Sequence, residues 1–360
     1  MSLTILGAGI SGLILSRCLQ LRCIPFLLLE KSSKTTFSKR NNYGITLHRK
    51  SYAPILKLLN IDESTFVKNV GIPGSGSKEG EGDLRVHRGR FENWLAEGVD
   101  VQFEREVSTL NHQNEGVSIE LKNGETVQSR VVVGGDGVHS VVRKSIAPEV
   151  EFEILPFVAI NGKRRIPVRE FEGMGFGGRN VVEQRVGDAG FQVSVSEVRG
   201  EDVGVSYTYS RPARGEGDEV FRPGRENAQA GEIPEGVFGE VERCKGELEE
   251  PLRAVFETGR MRGERLLSWL MRVVEVDESR LVEGAEKGIV LMGDAVHAEP
   301  IIGGEGANLA IEDGMRLAEL IAEGKPLSHF HQERRDVWAR SRKESKARIA
   351  AMHGVTKPSL

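Results

Sequence analysis

The first thirty residues constrain the fold of this chain more than any other segment. A short apolar strand at residues 4–6 runs into the glycine turn Gly7–Gly12, and an apolar helical pattern follows. A second apolar strand at residues 25–29 ends at Glu30. Strand, glycine turn, helix, strand and acid, in this order, form the fingerprint of a dinucleotide-binding βαβ unit.

Each glycine of this turn has a distinct predicted role. Gly7 allows the tight turn, Gly9 lets the backbone approach a pyrophosphate, and Gly12 lets the helix pack close to the sheet. The helix N-terminus supplies unpaired N–H groups and about half a positive charge to the phosphates. Glu30 follows at the spacing expected for an acid that accepts a ribose hydroxyl.

Composition narrows the class of protein. A chain of 360 residues suggests two domains at about 150 residues each, and a net charge of −4 without a basic run argues against nucleic acid as the main partner. The cysteines, Cys18, Cys23 and Cys244, have no metal or redox spacing, which indicates a reducing compartment and a cytoplasmic location. No apolar stretch reaches the ~18 residues of a transmembrane helix. The sequence leaves the oligomeric state open.

A second glycine-rich turn, Gly134–Gly137, follows the buried strand at residues 131–133. Asp136 in this turn has two interpretations. It accepts hydrogen bonds from a ligand at the carboxyl end of the strand, or it caps the helix that follows.

The third motif lies near the other end of the chain. The apolar strand at residues 289–292 leads into Gly293-Asp294, and after Pro300 the run Gly303–Asn308 precedes a helix. A second glycine-rich helix start predicts a second electron-rich group at a helix N-terminus, and Asp294 is suited to a ribityl or ribose hydroxyl. The alternative is a loop that serves only to turn the chain.

Between these motifs the sequence predicts mostly strands. Residues 99–106, 116–122 and 127–133 are expected to form a small antiparallel sheet, and further strands follow from residue 151. Residues 211–245 are predicted to be a long surface excursion or a poorly ordered segment, and residues 264–270 a helix. We expect a discontinuous dinucleotide domain at residues 1–150 and 280–325, a substrate domain at 151–279 and a C-terminal helical segment at 326–360.

Together the three motifs resemble the class A flavoprotein monooxygenases, the p-hydroxybenzoate hydroxylase-like family. Residues 134–143 are similar to its GADGxxSxVR motif, with Gly135 in place of alanine, and residues 293–300 to its GDAxHxxxP motif. Residues 304–308 are similar to its GQGxN loop, with Glu305 in place of glutamine. Arg88 falls where the family's strand–Arg–helix element approaches FAD. The resemblance covers residues 1–145 and roughly 264–325.

This resemblance implies an α/β fold: a Rossmann-like FAD-binding domain of the GR2 type with an inserted sheet-rich substrate domain and C-terminal helices. It implies FAD as the bound cofactor and NAD(P)H as a transient co-substrate. The cofactor-binding residues it implies are Gly7, Gly9, Gly12, Glu30, Arg88, Asp136, Gly293, Asp294, Pro300, Gly304, Gly306, Ala307 and Asn308.

The implied activity is that of a monooxygenase of secondary metabolism. NAD(P)H reduces FAD, O₂ adds at flavin C4a, and the hydroperoxide hydroxylates or epoxidises an aromatic or other unsaturated small molecule. A related reductase or oxidase without oxygen insertion, and a family member that binds FAD weakly, are the alternatives.

No catalytic residue can be assigned from the sequence. His297 is interpreted as a structural histidine beside the flavin loop in preference to a base, and His48 and Arg40 as residues of a solvated loop. Tyr207 and Tyr209 either line a pocket or are ordinary residues of a strand.

Overall fold

The computed structural model describes residues 2–40, 43–73, 82–113, 116–303 and 305–355. The strands in these ranges are β1 (Leu3–Leu6), β2 (Leu27–Leu29), β3 (Gly44–Leu47), β4 (Leu84–His87), β5 (Val101–Gln102), β6 (Val107–Gln113), β7 (Gly116–Leu121), β8 (Thr126–Ser129), β9 (Val131–Gly134), β10 (Glu153–Pro167), β11 (Val181–Val186), β12 (Ala189–Arg199), β13 (Asp202–Pro212), β14 (Leu267–Val273) and β15 (Ile289–Leu291). The helices are α1 (Ile10–Leu21), α2 (Lys34–Lys39), α3 (Arg49–Leu59), α4 (Glu63–Val70), α5 (Arg88–Ala96), α6 (Val141–Ile146), α7 (Val168–Gly173), α8 (Gly236–Cys244), α9 (Leu252–Val255), α10 (Thr258–Met261), α11 (Glu278–Glu286), α12 (Asp294–His297), α13 (Gly306–Ala322) and α14 (Ser328–Met352).

A parallel sheet with the strand order β15-β9-β1-β2-β5 carries the glycine turns. Its central strands are buried along their whole length, which explains why they read as continuous apolar runs rather than as alternating ones. Because β15, β9 and β1 are neighbours and run in the same direction, the three motifs that follow them meet at one edge of the sheet. The predicted Rossmann-like fold is therefore confirmed.

A second, antiparallel sheet has the order β11-β12-β13-β10-β14. Its strands alternate, so that one face is apolar and packs against α8, α9 and α10. The opposite face carries small polar side chains in register, among them Asn161 opposite Thr208 and Ser194 opposite Ser206, together with the charged Lys163 and Arg165 of β10. All of this confirms the predicted sheet-rich middle section.

The last helix joins the two sheets. Phe330 and Trp338 of α14 belong to the core around the parallel sheet, whereas Ile349 packs with Phe157 and Met271 of the antiparallel sheet. The strand β15 returns the chain to the parallel sheet, in the manner expected of a discontinuous first domain. The boundaries given for the three predicted segments remain predictions.

Several predicted elements are wrong. Residues 264–270 were predicted to be helical, but Leu267–Val273 is the edge strand β14, paired with β10. The expected sheet at 99–133 is divided: β6, β7 and β8 form a three-stranded antiparallel sheet, whereas β5 and β9 belong to the parallel sheet. A leucine-rich run fits both helical and strand spacing when it is short, so pairing with a neighbour decides its structure.

The segment 211–245 is the predicted surface excursion, because nearly all residues from 213 to 235 are exposed or half-buried, but it is anchored rather than poorly ordered. Arg211 is buried and forms ion pairs with Asp218 at 2.6 Å and Glu240 at 2.7 Å, which fix both ends of the segment. Val237 and Val241 of α8 are buried in the core of the second sheet. Across the described ranges, no helix is both long and apolar enough to cross a membrane.

Candidate active site

Three glycine turns converge on the first turn of α1. A Cβ atom added at Gly7, where φ is +97°, would lie 2.5 Å from the carbonyl oxygen of Gly135. A Cβ at Gly293, where φ is +59°, would lie 2.9 Å from Ser11 Oγ, and one at Gly135 3.3 Å from the same atom. The backbones approach so closely that side chains would separate them, and the conformations of Gly7 and Gly293 strain any other residue. Motifs from opposite ends of the chain thus form one cleft.

The first turn is built to receive a ligand. Gly9 is the N-cap of α1 and supplies no side-chain cap, so the first N–H groups of the helix lack a side-chain acceptor. A Cβ built at Gly9 meets no described atom within 4 Å, whereas one at Gly12 would lie 2.0 Å from the Gly7 carbonyl oxygen. Gly9 therefore faces open space beside a positive helix end, which fits a pyrophosphate.

Glu30 lies beneath the same turn. Its carboxylate accepts hydrogen bonds from the amides of Ala8 and Ser32, both at 2.9 Å, and pairs with Arg40 at 3.3 Å. Burial opposes ionisation, but Arg40 and these amides outweigh it and lower the pKa of Glu30. Glu30 holds the turn in place, and its remaining lone pairs are available to the predicted ribose hydroxyl. Arg40 is consequently an ion-pair partner of the turn, not a solvated loop residue.

The structure shows that Asp136 caps a helix, which is one of the two roles expected from the sequence. One carboxylate oxygen, Oδ2, accepts the Val141 amide at 2.7 Å and so caps α6. The other oxygen, Oδ1, is buried without a hydrogen-bond partner among the described residues, as is Arg143 Nε nearby. Burial raises the pKa of Asp136 against these hydrogen bonds. An orphaned acceptor beside the glycine turn fits a hydrogen-bond donor from a ligand.

Asp294 stands exposed at the start of α12, in the cleft. Its Oδ1 lies 3.5 Å from the position of a Cβ on Gly306, so it faces the first turn of α13, where Ala307 follows. Arg88 contributes from α5: burial opposes its charge, but Tyr43 and the carboxylates of Glu92 and Asp294 outweigh burial and raise its pKa. Pro300 is buried behind this loop, and Gly304 lies outside the described residues.

Asn308 fastens a neighbouring strand to α13. Its Oδ1 accepts the His48 amide at 2.8 Å, and its Nδ2 donates to the Thr46 carbonyl at 3.2 Å. The His48 ring lies between two carboxylates, 2.8 Å from Asp83 and 3.1 Å from Glu305. Glu305 also meets Arg348 at 3.2 Å. Its side chain therefore points away from the glycine turns, toward these two partners.

His297 and Asp313 form a buried pair behind Asp294. His297 Nε2 lies 2.7 Å from Asp313, which also accepts the Gly293 amide at 3.0 Å. Their mutual attraction overcomes burial: the pKa of His297 is raised and that of Asp313 is lowered to about 2. Arg334 and the Trp338 indole donate to the other carboxylate oxygen. This burial supports the structural interpretation of His297.

The polar face of the antiparallel sheet, which carries Asn161 and Lys163, is the counterpart of this cleft. Asn161 on this face is 3% exposed and donates to Ser206 and Thr208. Tyr43 joins the two sides, since Lys163 Nζ lies 5.5 Å from the centre of its ring and Arg88 donates to its hydroxyl.

Tyr207 and Tyr209 lie on the other face of the same sheet. Both are buried, and their hydroxyls donate to Glu264 and Glu240 respectively. They are packing residues on the side of the sheet that the helices cover, which agrees with the interpretation of both as ordinary residues of a strand.

The structure brings together most residues predicted from the motifs and adds others. Ser11, around which the turns pack, and Tyr43 were not singled out, because a serine in a helix and a tyrosine in a polar turn carry no recognisable pattern. Asn161 was missed for the same reason. Within the described residues, no cluster of His, Cys, Asp and Glu has the arrangement of a metal site.

A parallel sheet with a dinucleotide turn, two helix N-termini in one cleft and an attached antiparallel sheet define an FAD-binding oxidoreductase of the Rossmann-like type. A family model described as the FAD binding domain matches residues 90–161 and 157–344, and the chain belongs to this family. The resemblance to flavoprotein monooxygenases that the motifs indicated is confirmed.

Individual relatives agree. The FAD-dependent monooxygenase aptC of Emericella nidulans is 31% identical, over 88% of this chain and 85% of the relative. The structure of 2,6-dihydroxypyridine-3-hydroxylase from Arthrobacter nicotinovorans superposes with a TM-score of 0.73 at 17% identity, covering 99% of this chain and 94% of that one. The structure of Klebsiella pneumoniae HpxO complexed with FAD and uric acid superposes with a TM-score of 0.69 at 16% identity, covering 99% of this chain and 90% of that one. At these identities the two structures support the fold.

Proposed function

We propose that this chain is an FAD-dependent monooxygenase that uses NAD(P)H and O₂ to hydroxylate or epoxidise an aromatic or other unsaturated small molecule. The observation that carries the proposal is the meeting of the three glycine turns around Ser11, beside the open N-terminus of α1 at Gly9. The family and the monooxygenase named above support it further.

Bound FAD supplies the redox chemistry, accepting a hydride from NAD(P)H and activating O₂. The chain's own residues bind and orient the cofactor. The amides of the first turn of α1, beside Gly9, donate to the pyrophosphate, and Glu30 and Asp294 accept hydroxyls of the ribose and ribityl chain. The N-terminus of α13, at Gly306, Ala307 and Asn308, places positive helix charge near the electron-rich end of the flavin ring.

The substrate is proposed to lie between this cleft and the polar face of the antiparallel sheet. Asn161, Ser194 and Thr208 present amide and hydroxyl groups there, all less than 10% exposed. Such groups orient a polar substrate by hydrogen bonds, and the surrounding burial excludes water from the reacting atoms. We propose no residue as a catalytic base.

The alternatives are a reductase or oxidase without oxygen insertion and a weak FAD binder. NAD(P)H oxidation with a panel of substrates and isotopically labelled O₂ separates them. Substrate-stimulated oxidation with the label in the product supports the monooxygenase. Oxidation without incorporation supports the first alternative, and protein that stays colourless with added FAD supports the second.

Asp294→Ala tests the site itself. The variant should lose most of its flavin on purification, because the ribityl chain loses its acceptor, as measured by the flavin absorbance per protein. Asp336→Ala is the control, since that aspartate lies on α14 with its side chain 79% exposed. Full flavin content in Asp294→Ala would show that the assignment of Asp294 is wrong.

We also propose that the enzyme acts in the cytoplasm, on the grounds that its cysteines are few and that Cys18, Cys23 and Cys244 are free thiols. Its proposed partners are the small-molecule substrate and O₂. Fractionation of cells of the source organism, followed by detection of the protein with an antibody, tests this location.

A further inference from the structure

A cluster of charged side chains lies beside the N-terminus of α13, on the side of α3 and α14. Glu305, the N-cap of α13, places Oε2 3.1 Å from His48 Nε2 and Oε1 3.2 Å from Arg348 Nη2. The other nitrogen of the His48 ring lies 2.8 Å from Asp83 Oδ2. We call His48, Asp83, Glu305 and Arg348, which come from distant parts of the sequence, the Glu305 cluster.

The direction of the Glu305 side chain is unusual for a carboxylate at the start of a helix. The positive end of a helix attracts an acid at the cap or in the first turn, and such an acid ordinarily accepts hydrogen bonds from the free amides. Glu305 supplies no side-chain hydrogen bond to α13, a helix of 17 residues. Its side chain, 16% exposed, turns to His48 and Arg348 instead. Glu305 therefore leaves the amides at the start of α13 to another acceptor.

The residues that follow Glu305 face the cofactor site. A Cβ on Gly306 would lie 3.5 Å from Asp294 Oδ1. The Asn308 side chain is 1% exposed and fixes the turn by its bonds to the Thr46 carbonyl and the His48 amide. The first turn of α13 thus has two sides, one toward the proposed flavin and one toward the Glu305 cluster. The direction of the Glu305 side chain decides which side carries its negative charge.

The partners of Glu305 also balance its charge. A carboxylate only accepts hydrogen bonds, so the His48 ring binds Glu305 and Asp83 together only when both of its nitrogens carry a proton. In that state the Glu305 cluster contains two cations and two carboxylates. Among the described residues, loss of the His48 ring would leave Glu305 with Arg348, whose side chain is 48% exposed. Solvent screens such a half-exposed pair, so it neutralises the carboxylate weakly.

The charge beside the first turn of α13 bears on the flavin. Reduced flavin carries negative charge near N1 and the C2 carbonyl, so a carboxylate beside that end opposes reduction, whereas a free helix N-terminus favours it. We propose that His48 and Arg348 are positioning residues, which hold Glu305 away from the flavin and so raise the reduction potential of bound FAD. This inference rests on the proposed function, because that function places the flavin at the start of α13.

The test is the midpoint potential of the FAD-loaded protein, measured by stepwise reduction with dithionite beside reference dyes, without NAD(P)H or substrate. His48→Ala should bind reduced FAD about tenfold more weakly relative to oxidised FAD, which lowers the potential of a two-electron couple by about 30 mV. Arg348→Gln should lower the potential by a smaller amount, because this arginine is half-exposed. The content of oxidised FAD should change little in either variant.

Removing the charge of Glu305 separates this role from a structural one. When Glu305→Gln is added to His48→Ala, the potential should return to the wild-type value or rise above it, because no carboxylate remains to approach the flavin. A loss of packing at His48 would not be repaired by that second substitution, and melting temperatures report it separately. Lys346→Gln is the matched control, because it removes a cation of α14 that pairs with Glu153 at 2.7 Å, and it should leave the potential unchanged.

Two results would overturn the inference. One is a wild-type potential in both His48→Ala and Arg348→Gln. The other is a lowered potential that persists after Glu305→Gln is added, because His48 would then act through some other group. Should His48→Ala fail to fold, Arg348→Gln with and without Glu305→Gln gives the same comparison from the surface side of the cluster.

Failure of the proposed function gives a different result. Shifted potentials in a protein that never couples NAD(P)H oxidation to oxygen insertion would support the Glu305 cluster and refute the monooxygenase. Normal oxygen insertion with wild-type potentials in all variants would refute the role of the cluster alone. Protein that binds no FAD would refute both.

Discussion

The glycines of the first turn share one motif but do different things. Gly7 and Gly12 are required by neighbouring backbone, at 2.5 and 2.0 Å from a built Cβ, whereas Gly9 faces open space. The sequence motif assigned the turn to Gly7, helix packing to Gly12 and ligand approach to Gly9, and the geometry of Gly7 and Gly12 agrees with their roles because glycine spacing reports backbone geometry directly. The pyrophosphate role of Gly9 stays a prediction, and the motif could not show that Gly7 also packs against Gly135, which lies far along the chain.

This difference predicts opposite outcomes for two similar substitutions. Gly9→Ala should fold normally, because its φ of −83° suits alanine and no described atom is near, but should bind FAD at least about tenfold more weakly as the methyl group fills the ligand space. Gly12→Ala should lower the free energy of unfolding by about 1–3 kcal/mol, through overpacking against Gly7. Thermal melts of the apoprotein and flavin titrations measure the two effects. Equal loss of stability in both variants would contradict the assignment.

The structural importance of Asp313 cannot be predicted from the residues around it in the sequence. The helical spacing places it on α13, but its partners come from the Gly293 loop, from α12 and from α14. Asp313→Asn should cost on the order of 3–5 kcal/mol in unfolding free energy, because His297 and Arg334 lose a buried counter-charge. It should also lower flavin retention, since asparagine offers one acceptor oxygen where the Gly293 amide, Arg334 and Trp338 use two.

The neighbouring Glu312→Gln is the control for this substitution. Its side chain is 25% exposed, whereas that of Asp313 is 0% exposed, so solvent screens its charge and about 1 kcal/mol or less is expected. Urea denaturation followed by flavin and tryptophan fluorescence measures both variants. Wild-type flavin affinity in a destabilised Asp313→Asn protein would show that the aspartate serves stability alone.

At the scale of elements, the sequence predicted the helices and strands that depend on local chemistry, but not those that depend on pairing with a distant strand. The strands β1 and β15 and the helix α13 followed from apolar runs beside glycine turns. The edge strand β14 did not, because Leu266–Met271 satisfies either period and only β10 beside it settles the structure. The anchoring of 211–245 was equally hidden, since Arg211 meets Glu240 across 29 positions of sequence.

The junction of α14 with β15 predicts an acid dependence of stability. His331 is buried, contacts Leu291 and Leu281 backbone atoms, and desolvation lowers its pKa to about 4. A histidine with a depressed folded pKa stabilises the fold fully above its unfolded pKa of about 6.5, and this stability is lost as the pH falls from there to about 4.

Wild-type protein should accordingly lose about 3 kcal/mol more than His331→Gln between pH 7 and pH 4. At pH 7 the variant should be the less stable protein, because glutamine packs less well in this place. Denaturant titrations across this range check the sign. Parallel pH curves for the two proteins would refute a neutral buried imidazole.

At the scale of the whole molecule, two sheets with separate cores are joined by a helix that touches both. FAD and the substrate of the proposed reaction would meet between the two sheets. The contact of α14 with both sheets should therefore affect how much oxygenated product forms per NAD(P)H oxidised, rather than how tightly FAD is retained. The sequence predicted both sheets and the charged last helix. It could not predict that the far end of this helix packs on the second sheet, where His353 meets Ser210 at 2.9 Å.

Ile349 offers the sharpest test of that join. It is fully buried against Phe157 and Met271, and Ile349→Ala should cost about 2–5 kcal/mol by leaving a cavity at the contact between α14 and the second sheet. FAD content should persist, while NAD(P)H oxidation should yield less oxygenated product per nucleotide consumed, because the substrate face is held less firmly over the cofactor cleft. Ile311 of α13 is equally buried, in the core around the parallel sheet. The cavity left by Ile311→Ala should instead reduce flavin retention. Product yield per NAD(P)H and bound flavin, measured side by side, distinguish the two. If both variants lose flavin to the same extent, the two sheets act as one cooperative unit and the contact of α14 has no separate role in coupling.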